Sequence, residues 1–189
     1  MAVLPIRTVG DPVLRTKAAP VTTFDAALER LVQDMIDTMY DAPGTGLAAP
    51  QVGVGLRLFV FDTDWDPDNP RVPRRPRVVA NPVLEVGEET QEGPEGCLSI
   101  PGRYYPTTRA NWARVRGVDA TGAPVEYAGT GLLARCLQHE TDHLDGILYL
   151  ERLTGDVRRA ALRALREPPP TPAEQAAGAS FLRSLRRSG

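Results

Sequence analysis

From Phe24 to Tyr40 the apolar residues Leu28, Leu31, Val32, Met35, Ile36 and Met39 recur at spacings of three and four. Side chains at those intervals share one face of a helix, so the segment predicts an amphipathic helix packed on a core. Thr22, Thr23 or Asp25 stands where a cap is wanted, and Pro43-Gly44 ends the pattern. Beyond residue 54 the pattern changes to short apolar runs. Leu56 to Asp62 and Arg77 to Val86 predict strands, the second interrupted at Asn81-Pro82. Trp112 to Asp119 alternates apolar and polar residues, and a turn at Asp119-Ala-Thr-Gly122 returns the chain through Pro124 to Tyr127 as a hairpin. The polar stretch Asp62 to Pro76, with four prolines and three arginines, predicts a surface loop.

Thr130 opens a second predicted helix that stops at Gly146. On it Leu132, Cys136, His139 and His143 fall on one face. A third helical stretch runs from Thr154 to Arg166, after which Pro168-Pro-Pro170 and Pro172 break the chain. The order helix, several strands, helix predicts an α+β domain with antiparallel strands around a central helix. Residues 1–166 form that domain on this reading, and 167–189 a Pro-rich break followed by a basic, flexible C-terminal tail.

Length and composition narrow the possibilities without choosing among them. At 189 residues the chain suits one domain, and 42% hydrophobic with 24% charged residues is ordinary for a globular protein. No apolar run reaches the length of a membrane span, and the N-terminus lacks the pattern of a secretory signal. A net charge of −2 gives no reason to expect sequence-specific nucleic-acid binding. Two cysteines, Cys97 and Cys136, cannot staple a fold of this size, which makes a reducing cytoplasm the expected location.

The chemistry lies in His139-Glu140-Thr141-Asp142-His143, where both histidines of the chain fall in an H-E-x-x-H pattern. Two imidazoles one helical turn apart can grip one metal ion, and the glutamate between them can accept a proton from water at that ion. With no further histidine, the third ligand is a carboxylate or a thiolate. Glu151 lies beyond the helix stop. Cys97 sits in Glu95-Gly96-Cys97-Leu98-Ser99-Ile100-Pro101, whose glycine and proline imply an irregular, exposed segment. A thiolate beside a divalent metal is stabilised as the anion. Cys136, one turn before His139, suits a small packing residue beneath the metal. A third segment, Gly44-Thr45-Gly46-Leu47-Ala48-Ala49-Pro50-Gln51, would let backbone approach a ligand closely and offers the Gln51 amide.

Together the three segments resemble the peptide deformylase family, whose motifs G-x-G-L-A-A-x-Q, E-G-C-L-S and Q-H-E-x-D-H stand here as Gly44 to Gln51, Glu95 to Ser99 and Gln138 to His143. The resemblance in layout covers about residues 3 to 153. It implies a metal-dependent hydrolase that removes the N-formyl group from the initiator methionine of new polypeptides and releases formate. It implies Cys97, His139 and His143 as metal ligands, with ferrous iron in the cell and zinc, nickel or cobalt able to substitute. It implies Glu140 as the base that takes a proton from water and returns it to the leaving amine. Gln51, through its side-chain amide, and Leu98, through its backbone N–H, would donate to the formyl oxygen. Gly46 would bind the peptide backbone, and Thr45, Leu132, Arg135 and Cys136, with Ile100 or Tyr104 nearby, would wall the methionine pocket. Arg135 stands where relatives are often aliphatic; it either lines the mouth and contacts substrate or is a solvated arginine with its stem on the rim. Arg109 and Asp142 are expected to pair and steady the Cys97 loop or His143.

An H-E-x-x-H endopeptidase and a non-catalytic metal-binding protein are the rival readings. Glu140 and Gln51 argue against the second, because chemistry needs them and metal binding does not. The protein is expected to be a monomer acting on formylmethionyl nascent chains. From Asp156 onward there are seven arginines (Arg158, Arg159, Arg163, Arg166, Arg183, Arg186, Arg187) against three acids (Asp156, Glu167, Glu174). Such a tail is either a solvated end or a contact with ribosomal RNA phosphates. On either view its removal after Pro168 is expected to leave turnover of a free tripeptide normal.

Overall fold

The computed structural model describes residues 2–171, 173–178 and 180. After a short 3-10 turn at Pro12–Arg15, helix α1 spans Ala26–Asp41. Of the three residues placed to cap it, Asp25 does so: its carboxylate accepts from the N–H groups of Ala27 and Leu28. Strands β1 (Gly46–Ala48), β2 (Leu58–Phe61), β3 (Arg77–Val86), β4 (Thr90–Cys97), β5 (Ile100–Ala110), β6 (Trp112–Val118) and β7 (Pro124–Thr130) follow. Helix α2 spans Gly131–Leu144 and α3 spans Gly155–Ala164. The strands form a five-stranded antiparallel sheet, in the order β1-β2-β3-β6-β7, and a separate β4-β5 hairpin. The α+β class and the antiparallel sheet agree with the sequence pattern.

β2 explains the layering. All four of its residues are buried, because the sheet is covered on both faces. Leu58 and Val60 pack with Met35 and Met39 of α1, whereas Phe59 and Phe61 pack with Ala134, Leu137 and Leu144 of α2. Successive strand residues face opposite sides, so one unbroken apolar run serves two cores. In β3 the predicted interruption is real: Asn81 has a positive φ of 53°, and the pairing with β6 shifts register between Ala80 and Val83. The Asn81 side chain closes the irregularity, bonding the backbone N–H and C=O of Val21.

Two expectations are corrected. The segment around Cys97 is not exposed: β4 and β5 pair from Thr90 and Ala110 down to a tight turn at Leu98-Ser99, the expected irregularity is a register shift between Gly96 and Cys97, and Cys97 is buried. The hairpin is held by a third cluster in which Cys97 and Ile100 pack with Leu14, Leu148, Tyr149 and Leu153. The loop after β2 is polar but not wholly at the surface. Asp62 is fully buried and accepts from the Tyr40 hydroxyl and from the N–H groups of Trp65 and Arg75, so it organises the loop from within.

Candidate metal centre

α2 is the axis of the site. It is buried from Ala134 to Leu144 between the five-stranded sheet and the hairpin. Gln138 ties it to the hairpin: its amide accepts from the N–H of Ala110 and donates to the carbonyl oxygens of Ala110 and Ala134. This fixes the helix against the end of β5, one residue before His139.

The ligand atoms of Cys97, His139 and His143 all lie within 4.8 Å of one another. Nε2 of His143 is 3.2 Å from Cys97 Sγ and 3.2 Å from Nε2 of His139. His139 Nδ1 lies 2.7 Å from Glu95 Oε1. An ionised carboxylate only accepts, so Nδ1 carries the proton and Nε2 presents a lone pair. Two imidazole nitrogens and a sulfur converge, the His139 nitrogen with its electron pair facing inward. Such a group is mutually repulsive without a cation among them, and its two-nitrogen, one-sulfur chemistry fits a borderline divalent metal. Glu151 takes no part: it pairs with Arg15 at the surface. Of the two candidate third ligands, Cys97 is the one that stands beside the histidines.

Glu95 was not singled out as a functional residue in the sequence, yet it is the hub of the surroundings. Besides His139 it receives Arg109 through two bonds, of 2.6 and 3.0 Å, and Arg135 at 2.8 Å. Arg109 also bonds Asp142 at 2.6 Å, the pairing expected from the sequence, and Arg152 reaches Asp142 from outside. Burial alone would raise the Glu95 carboxyl, but the hydrogen bonds from His139 and Arg109 and their charge hold it well below the usual carboxylate range. Arg135 is neither solvated nor at a rim. It is buried, with Nη1 shared between Glu95 and the carbonyl oxygen of Thr107. Only the adjacent motif residues hinted at Glu95, since a buried charge leaves no hydrophobic signal.

Glu140 follows His139 on the helix and is fully buried. Desolvation pushes its carboxyl up to about 7, despite the opposing charge of His139. Its Oε2 has no hydrogen-bond partner among the described residues. β1 lies against it: a Cβ at Gly46 would come within 2.4 Å of Glu140 Oε1, so only glycine allows this approach. Gln51 is buried and oriented by its own amide oxygen, which accepts from the N–H of Ala48. Its Nε2 therefore faces Ser99 Oγ at 3.2 Å and Cys97 Sγ at 3.5 Å. Leu98 stands at the turn of the hairpin.

A cavity of about 490 Å³ opens over these groups and is lined by Thr45, Gly46, Gln51, Cys97, Leu98, Leu132, Arg135, Cys136, His139 and Glu140. The residues proposed for catalysis, metal binding and the pocket thus meet here, with His143 reaching Cys97 and His139 from beneath the lining and Ile100 as the exception. Of the two alternatives, Tyr104 lines the cavity, whereas Ile100 is buried in the core beneath the hairpin. Two lining residues that the sequence did not suggest are Gln175 and Ala176.

Comparison with known proteins agrees with this geometry. The family model described as polypeptide deformylase matches residues 3–159. The chain is 54% identical over 167 residues to a peptide deformylase of Acidothermus cellulolyticus, covering 88% of each. It is 55% identical over 177 residues to one of Mycolicibacterium paratuberculosis, covering 88% of this chain and 89% of the relative. The crystal structure of a peptide deformylase from Legionella pneumophila superposes with a TM-score of 0.79 at 45% identity, covering 87% of this chain and 94% of that one. The crystal structure of the Thermus thermophilus peptide deformylase gives 0.77 at 46% identity, covering 94% and 98%.

Proposed function

The chain belongs to the polypeptide deformylase family, and from that premise we propose how its own side chains carry the family's reaction, hydrolysis of the N-formyl group of formylmethionyl polypeptides with release of formate. The observation that carries the reading is the convergence of Cys97, His139 and His143 beside Glu140 at the buried end of a cavity. Cys97, His139 and His143 would hold a divalent cation, which when bound would supply Lewis-acid activation of water and polarisation of the carbonyl. Glu140, with its carboxyl near neutral, accepts the proton of the attacking water and returns it to the leaving amine. Gln51 Nε2 and the Leu98 N–H donate to the oxygen on which charge develops, a contribution of roughly 3–4 kcal/mol for one such donor. Gly46 offers backbone to the peptide, and Thr45, Leu132, Arg135 and Cys136 surround the methionine side chain, Arg135 with its charge spent on Glu95.

We assign ferrous iron as the cellular metal, with zinc, nickel or cobalt able to occupy the same donors. The enzyme acts as a cytoplasmic monomer on nascent chains; among the described residues no helix is long and apolar enough to cross a membrane. Contact of the basic C-terminal end with ribosomal RNA belongs to the same proposal. Arg183, Arg186 and Arg187 lie outside the described residues, and co-sedimentation with ribosomes at two salt concentrations tests it.

The reading is tested by offering formyl-Met-Ala-Ser and internally labelled casein. Formate release from the peptide alone supports it, casein cleavage favours an endopeptidase, and silence on both with full metal content favours a binding protein. Two substitutions probe the parts. Gly46→Ala forces the Glu140 carboxylate aside, and a misplacement on the order of 1 Å costs about 10²-fold; wild-type kcat in this variant would refute the close packing. Cys97→Ser removes a charged soft ligand, whereas Cys136→Ser alters only packing. Metal content measured after gel filtration is expected to fall in the first and hold in the second, and equal content in both would remove Cys97 from the ligand set.

A further inference from the structure

The cavity runs from a buried end to an open one. His139 and Glu140 are buried at one end, while Gly102, Tyr104 and Gln175 are half-buried and Ala176 is exposed. An enzyme that acts on the formylated end of a chain takes that end into the buried part, so the rest of the peptide leaves past the half-buried rim. That rim is built partly by the segment after α3, which the sequence reads as a loose tail.

The segment is fastened along β5. Arg103 Nη2 donates to the carbonyl oxygens of Glu167 and Pro168, at 3.3 and 3.2 Å. A Cβ at Gly102 would lie 2.9 Å from Gln175 Cγ and 3.0 Å from Pro170 Cβ, and one at Gly178 would lie 2.7 Å from Tyr104 Cε2. Glycine at both positions lets these side chains pack directly on the facing backbone. The Glu174 carboxylate accepts from the N–H and hydroxyl of Thr171, a capping arrangement that starts the short helix at 173–178. Gln175 Nε2 donates to the carbonyl oxygen of Pro170 at 2.6 Å, which fixes the side chain where it lines the cavity.

We propose that Pro170, Thr171 and residues 173–178 form the outer wall of the substrate groove and that Gln175 is a specificity-determining residue for the peptide positions that follow the formylmethionine. This rests on the deformylase reading of the buried end. The wall's own work is different: an amide oxygen accepts from a peptide N–H, as an extended chain presents every ~3.3–3.6 Å per residue, and the rim residues Gly102, Tyr104, Gln175 and Ala176 carry no charge, so they tolerate many second and third residues. A charge placed at 175 makes the groove selective. It also changes the earlier expectation for the C-terminal segment, whose loss would open the groove and alter tripeptide turnover.

The test uses the full-length, metal-loaded enzyme. kcat/KM is measured by formate release for formyl-Met-Lys-Ser, formyl-Met-Glu-Ser, formyl-Met-Ala-Lys and formyl-Met-Ala-Glu. Gln175→Glu is expected to shift preference toward lysine over glutamate about threefold or more at one of the two positions, and Gln175→Lys to shift it the other way at that position, both effects shrinking in high salt. Gln175→Ala is expected to lower the ratio of formyl-Met-Ala-Ser to formyl-Met turnover. A purely structural role would change all substrates alike, so unchanged ratios in all three variants would overturn the inference and leave the deformylase reading standing. Silence of the wild-type enzyme on every formylated substrate would remove both.

Discussion

Glu140→Gln is expected to keep its metal and lose activity by about 10²–10⁴-fold, the usual contribution of a positioned acid–base group. The substitution conserves volume in a carboxylate site already in contact with Gly46, so packing is not the variable. It removes the one group here whose carboxyl lies near neutral, where a group both accepts and returns a proton efficiently. Glutamine can still hydrogen-bond water but cannot take its proton. Metal content is the decisive control. Glu140 is absent from the convergent donor set, so the variant should bind metal like the wild type, whereas His139→Ala should not. Loss of metal in both would make Glu140 a ligand and overturn the assignment.

The residues that fix this chemistry were legible because their signals are local. The α1 stripe, the hairpin of β6 and β7 and the H-E-x-x-H helix follow from periodicities of 3.6 and 2 and from cap and turn residues. β4 was not legible, and Glu95 shows why. In Thr90–Cys97 the buried positions are Glu95 and Cys97, so the inward face of the strand carries a charge instead of an aliphatic side chain. A pattern search reads that as loop. The strand exists because the following strand β5 supplies the ladder and Arg109 at its far end the counter-charge, neither of which leaves an apolar period in β4 itself. The same limit hid the wall after α3. Proline, glycine and alanine carry no period, and only the meeting of Gly102 with Pro170 and Gln175 makes that segment part of the site.

Glu95→Gln is expected to be the most destabilising single change around the site. The wild-type carboxylate balances Arg109 and Arg135 while accepting from His139, and every one of these groups is buried. A buried network of this kind adds little over an apolar replacement of the whole, because each charge has been taken out of water. Removing one member is a different matter: two guanidinium groups then stay desolvated with one carboxylate, Asp142, left to Arg109 and Arg152. Breaking a buried pair in this way costs about 3–5 kcal/mol. For a domain of this size that corresponds to a fall in Tm of roughly 6–20 °C. The exposed pair Arg116–Glu126 supplies the contrast, since its charges stay in water and Glu126→Gln should leave Tm nearly unchanged. A second effect separates position from stability: His139 keeps only a neutral amide oxygen in place of the carboxylate that fixes its ring, while the new amide N–H groups face the guanidinium donors, so metal affinity measured well below the transition should fall about 10–100-fold. Thermal melts and metal titrations of the two variants test both effects, and a Glu95→Gln enzyme that melted with Glu126→Gln and bound metal like the wild type would show that the network neither holds the hairpin nor orients the ligand.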